Sequence, residues 1–189
     1  MATLDTATNL LKNRVDDGSY QLTTVATVLK LPWHNVSDAS TDMPRSRLNW
    51  TPADFTRTTK YERRPVAVDA YVIAVGLEGA ESTNCERPDS SWHDYHMWIV
   101  ATEQEAHARD KSRAVVAEIT PRVRHLHAGE LDRKQIMQWA HDGTKVRVSG
   151  WLMLDPEHPS DARPDAAGHQ ASRGTIWEIH PVMKIGPAP

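Results

Sequence analysis

The sequence predicts a mainly β chain: a five-stranded barrel with one helix between its third and fourth strands, preceded by an N-terminal arm. Three observations carry this reading. Beyond residue 65, five strand-length runs of β-branched, aromatic and alternating apolar residues are separated by polar, Gly- or Pro-bearing turns. One helical pattern interrupts them, and residues 1–64 hold no comparable run. A chain of 189 residues with 39% hydrophobic content is enough for one domain with a real core.

In the arm, Leu10, Leu11 and Val15 form the apolar side of a short helix from about Leu4 to Val15, stopped by Asp16-Asp17-Gly18. Tyr20 to Leu31 stays open: Leu22, Val25, Val28 and Leu29 fit a helix, while the Thr- and Val-rich composition fits a strand. From Pro32 to Lys60, prolines and short polar residues predict an irregular segment pinned by Trp33, Trp50 and Phe55.

The barrel is expected over 65–185, with a frayed tail at 186–189. Val66 to Leu77 is a long β-branched run and the first strand. The second, Asp94-Tyr95-His96-Met97-Trp98-Ile99-Val100, alternates so that Tyr95, Met97 and Ile99 share one face and Asp94, His96 and Trp98 the other. Thr102 to Lys111 reads as a loop, Arg113 to Pro121 as a third strand stopped by proline, and Glu130 to His141 as a helix ended by Asp142-Gly143. Lys145 to Leu154 is the fourth strand. Asp155 to Arg173, rich in Pro, Asp and His, predicts a mobile loop. Thr175 to Ile185 is the fifth strand, in which Pro181 implies an edge or a bulge.

Formal net charge is −3, so nothing global draws the chain to nucleic acid or anionic lipid; such a partner would need a local patch. No apolar run approaches the roughly 18 residues of a membrane span, and the first residues do not read as a secretion signal, so a soluble cytoplasmic protein is expected. Cys85 is the only cysteine, which excludes an internal disulfide. Seven Trp against one Phe suggest some indoles at a ligand face.

The order strand, strand, strand, helix, strand, strand resembles the OB-fold, a Greek-key barrel. The strings Glu81 to Cys85, Asp94-Tyr95-His96, Glu118 to Arg122, Gly150-Trp151 and Trp177 to Val182 also resemble a bacterial protein family without an assigned activity. The OB likeness implies that the third strand lies between the second and the fifth. A symmetric hairpin about His107 then sets His96 opposite Glu118 and Asp94 opposite Thr120, about 4.8 Å apart. Glu178 and His180 share a face of the fifth strand, giving one polar stripe of Asp94, His96, Glu118, Thr120, Glu178 and His180.

Three uses of that stripe compete. It can be a solvated outer face. It can be a binding face, where OB-folds receive extended ligands, with Trp98 and Trp151 stacking on the bases of single-stranded nucleic acid and Arg109, Lys111, Arg113, Arg122, Arg124 and Arg147 adding positive charge. Or Asp94, His96, Glu118, Glu178 and His180 can hold a divalent metal (Mn²⁺, Mg²⁺ or Ca²⁺) for phosphodiester hydrolysis, with Arg122 or Arg173 stabilising developing charge. Glu118-Ile119-Thr120-Pro121 and Arg173-Gly174 resemble, in part, the acidic and arginine segments of staphylococcal nuclease, which implies that last chemistry. Cys85 with His93 gives no zinc spacing, His125 and His127 read as a solvated basic patch, and His158 and His169 fall in the long loop. The leading expectation is nucleic-acid binding through His96, Trp98, Glu118, Thr120, Trp151, Glu178, His180, Arg113 and Arg147. The alternatives are the hydrolase and a protein-interaction subunit.

Overall fold

The computed structural model describes residues 6–33, 44–164 and 167–189. Leu4 and the part of the expected irregular segment at 34–43 lie outside the described residues. The chain is mainly β, with a closed five-stranded barrel, one extra strand and short helices, as in an OB-like barrel.

α1 (Thr6–Lys12) and β1 (Gln21–Thr23) are followed by α2 (Val25–Leu29), so the ambiguous Tyr20–Leu31 segment divides into a strand and a helix. Thr24 separates them: its side chain accepts from Thr27 N and starts the helix. α3 (Pro52–Thr59) corrects the expectation of an irregular arm. Thr51 and Asp54 form a reciprocal capping box with Pro52 in the first turn, a helix start that the proline count concealed.

β2 (Pro65–Leu77) is long enough to pair with β5 (Lys145–Leu154) through residues 65–71 and with β3 (Tyr95–Val100) through residues 71–77. β3 continues to β4 (Val115–Ile119), β4 runs parallel to β6 (Trp177–Pro187), and β6 returns to β5, closing the barrel. β1 adds a parallel strand outside this ring, on β2. The supposed loop at 102–111 contains α4 (Glu103–Ala108), which also has a capping box, formed by Thr102 and Glu105. Pro121 does not just stop a strand. It opens α5 (Pro121–Leu126), capped by Thr120. α6 (Arg133–Asp142) is the helix expected before β5, ended by Gly143 in the left-handed conformation that glycine tolerates.

The core holds Val68, Val72, Met97, Ile99, Val115, Ala117, Ile119, Val148, Leu152, Ile179 and Val182. Each larger aliphatic chain contributes roughly 1.5–3 kcal/mol by leaving water. Pro181 sits where the β5–β6 register slips around Gly150, the expected irregularity. A Cβ on Gly150 would lie 2.4 Å from the Pro181 carbonyl oxygen, so only glycine lets the two strands approach this closely.

Candidate active site

The register delivers the stripe as counted: His96 is opposite Glu118 across β3 and β4, and Val116 is opposite Glu178 across β4 and β6. Its side chains leave the barrel on the face away from Met97, Ala117 and Ile179. The stripe is nevertheless not a solvated outer face, because Asp94, His96, Glu118, Thr120, Glu178 and His180 are all buried, none more than 8% exposed. Three segments cover it. α1 brings Lys12, whose ammonium pairs with Glu81 (3.2 Å); the 82–84 turn brings Asn84, whose Nδ2 donates to Asp94 Oδ1 (2.9 Å); and the 155–173 segment brings Asp155 and Arg173. That segment is therefore anchored at both ends rather than a free loop. Arg173 Nη1 contacts Asp155 Oδ2 (3.1 Å) and Glu178 Oε2 (3.4 Å).

The groups form an ordered succession. Glu78 Oε1 lies 2.7 Å from His96 Nδ1, out of line for a hydrogen bond. His96 Nε2 meets Glu118 Oε1 in a close contact. Glu118 Oε2 lies 3.0 Å from His180 Nδ1, which also pairs with Glu178 Oε1 (3.2 Å). His180 Nε2 faces Asp94 Oδ2 at 3.7 Å. Glu118 Oε2 and His180 Nε2 are buried and make no hydrogen bond among the described residues. Glu118 Oε2 has its ion-pair contact with His180, but a buried polar atom without a well-directed hydrogen bond calls for an explanation.

Electrostatics sharpen the point. Burial, reinforced by Glu118 and Glu81, pushes the Asp94 carboxyl up to about 7 against the opposing pull of His180. Burial alone would depress His96, but Glu118 and Glu78 hold it up at about 10; Glu118 and Glu178 do the same for His180. Burial also works against the Glu118 carboxylate, yet His96 and His180 outweigh it and keep it well below the usual range. Among the described residues, Asp155 and Glu178 pair with Arg173 and Glu81 with Lys12, whereas the ion pairs of Asp94, Glu118 and Glu78 are to imidazoles.

Two groups of donors converge: Asp94, Glu118 and His180, and His96, Glu118 and Glu178, with one ligand atom per residue within 4.8 Å of the others in each group. Donors around one ion at about 2.1 Å stand roughly 3–3.5 Å apart, close to the spacing of His180 Nε2 and Asp94 Oδ2. The set therefore fits a divalent cation. The cleft above it measures about 130 Å³ and is lined by Lys12, Glu78, Glu81, His96, Trp98, Glu118, Asp155, His158, Asp161, Ser172 and Arg173. At its mouth Trp98 donates to the Ser172 carbonyl (2.7 Å), with Lys111 stacked on its ring.

Several expected members lie elsewhere. Trp151 packs in the core with its indole N–H on the Asp16 carbonyl and Arg14 over its ring, because β5 turns it away from the stripe. Arg122 is exposed on α5, since Pro121 starts a helix there. Arg113 pairs with Glu105, Arg147 with Asp69, Arg109 with the Ile73 carbonyl, and Arg124 with the carbonyls of Ser91 and His93. Thr120 caps α5. Cys85 is exposed, and the described part of 155–173 puts His158, not His169, on the cleft.

Sequence reasoning missed Lys12, Glu78, Glu81, Asn84 and Asp155. Glu78 was recoverable: Gly76 pairs with His96, and Glu78, two residues on, shares its face. Asp155 and His158, three apart at a strand end, form a 2.9 Å pair and carried a weaker signal. Lys12, beside buried Leu11, carried none. Comparisons with protein-family models, curated proteins and solved structures give no match for this chain.

Proposed function

We propose that the protein is a metal-dependent hydrolase of phosphoryl esters, with its centre at Asp94, Glu118 and His180. The observation that carries this is the pair of buried, hydrogen-bond-free atoms, Glu118 Oε2 and His180 Nε2, set among carboxylates whose ion pairs within the described residues are to imidazoles. His96 and Glu178 complete the donor set. The mixture of imidazole and carboxylate suits Mn²⁺ better than Mg²⁺ or Ca²⁺. A divalent ion held there would supply Lewis acidity toward a phosphoryl oxygen and make water acidic enough to attack at neutral pH.

The chain's own residues do the rest. Arg173 holds Asp155 and Glu178 in place. His158, oriented by its 2.9 Å contact from Nδ1 to Asp155 Oδ2, moves the proton between attacking water and leaving group. Trp98 walls the mouth and limits water. The acidic rim of Glu78, Glu81 and Asp161 opposes a long polyanion, which weighs against single-stranded nucleic acid as a ligand along this face.

The test is calorimetric titration of Mn²⁺ into metal-free protein, alongside Mn²⁺-dependent release of nitrophenol from nitrophenyl phosphate esters. Binding near one equivalent, weakened at least ~100-fold in Glu118→Gln and His180→Ala, supports the reading. Absence of Mn²⁺ binding by the wild-type protein overturns it.

A further inference from the structure

The N-terminal helix places a lysine where a barrel alone would have none. Lys12 is 7% exposed and reaches the cleft from the end of α1. Contacts that do not involve Lys12 help to hold α1 and the residue after it in place. Arg47 Nε donates to Thr8 Oγ1 (3.1 Å), and Asn13 Nδ2 donates to the Thr83 carbonyl (3.2 Å). The ammonium has three N–H donors, and among the described residues it makes one hydrogen bond, to Glu81 Oε2. Arg173 is tied to three carboxylates, Asp155, Asp161 and Glu178, whereas Lys12 has one ion-pair partner among the described residues and donors to spare.

Size limits what those donors can meet. A cleft of about 130 Å³ has room for roughly four water molecules, the scale of one tetrahedral oxyanion. An internal phosphodiester would have to bring chain on both sides of its phosphorus past Glu78, Glu81 and Asp161. A terminal phosphoryl group needs only to enter end-on.

Resting on the hydrolase reading above, we propose that Lys12 grips a terminal phosphoryl group, so that the substrate is a phosphate monoester of a small molecule rather than a strand with internal diesters. Lys12 orients one non-bridging oxygen while the acidic rim turns away chains carrying further phosphates.

Inorganic phosphate is the probe, titrated calorimetrically into Mn²⁺-loaded protein. Wild-type protein is expected to bind phosphate, Lys12→Gln to bind it at least ~10-fold more weakly while still taking up Mn²⁺, and Lys12→Arg to retain most of the affinity. Equal phosphate binding by Lys12→Gln overturns the proposal. So does loss of phosphate binding in both variants with folding intact by circular dichroism, which would assign Lys12 a purely packing role. Nitrophenyl phosphate and bis(nitrophenyl) phosphate form the second arm: faster turnover of the monoester supports the proposal and faster turnover of the diester overturns it. Mn²⁺ binding without phosphate binding refutes this inference alone, whereas no Mn²⁺ binding refutes the reading beneath it.

Discussion

Two clusters of buried charge among the described residues are built on different terms. Arg47 and Glu62 form a closed set: Nη1 and Nη2 reach both Glu62 oxygens (3.0 and 2.7 Å), Nη2 also reaches the Leu154 carbonyl (2.7 Å), and Leu154 N returns a bond to Glu62 Oε1 (3.0 Å). The Trp50 ring covers the guanidinium at 4.4 Å. The cluster around Glu118 is as deeply buried, yet it leaves Glu118 Oε2 and His180 Nε2 without hydrogen bonds. Burial of charge does not distinguish a clasp from a working site; unsatisfied geometry does.

Breaking the clasp should give the largest effect. Arg47→Met leaves Glu62 buried without its cation and is expected to lower stability by about 3–5 kcal/mol in urea denaturation, while Mn²⁺ affinity measured well below the transition stays unchanged. If instead metal affinity fell and stability held, the roles of the two clusters would be reversed.

Glu118→Gln tests the other side. Its ~100-fold loss of Mn²⁺ affinity corresponds to about 2.7 kcal/mol of binding energy, whereas the metal-free stability should move by less than that.

An effect of opposite sign is expected at Asp94. Its carboxyl is raised in the folded state to about 7 from an ordinary value near 3.8, so ionisation costs stability as pH rises between those values. Metal-free Asp94→Asn should match wild type near pH 4 and become progressively more stable than wild type as pH rises through 7, read by urea denaturation across that range. A difference that shrinks with rising pH would contradict the burial argument. Smallest of all, Arg122→Ala on exposed α5 should change stability by no more than ~0.5 kcal/mol and leave Mn²⁺ binding alone.

The strands were legible because a side-chain period of two is written directly into the residues: His96 opposite Glu118, and Glu178 and His180 on one face, follow from counting. Helix starts at Thr51, Thr102 and Thr120 were missed because each consists of one capping threonine among residues that also favour loops. What covers the stripe was illegible for another reason. Lys12, Asn84 and Arg173 arrive from segments far apart in sequence, and no local pattern encodes a contact over 69 residues such as Lys12 with Glu81.

β6 pairs with both β4 and β5 and carries Glu178 and His180. Of the six strands it is the last to be synthesised, whereas α1 with Lys12 emerges ahead of them all. During translation, then, the lysine meets its partner Glu81 once β1 and β2 have been made, while Glu178 and His180 arrive last. A nascent chain stalled before Trp177 has an open sheet and neither Glu178 nor His180, so the centre can be assembled only once the barrel has closed.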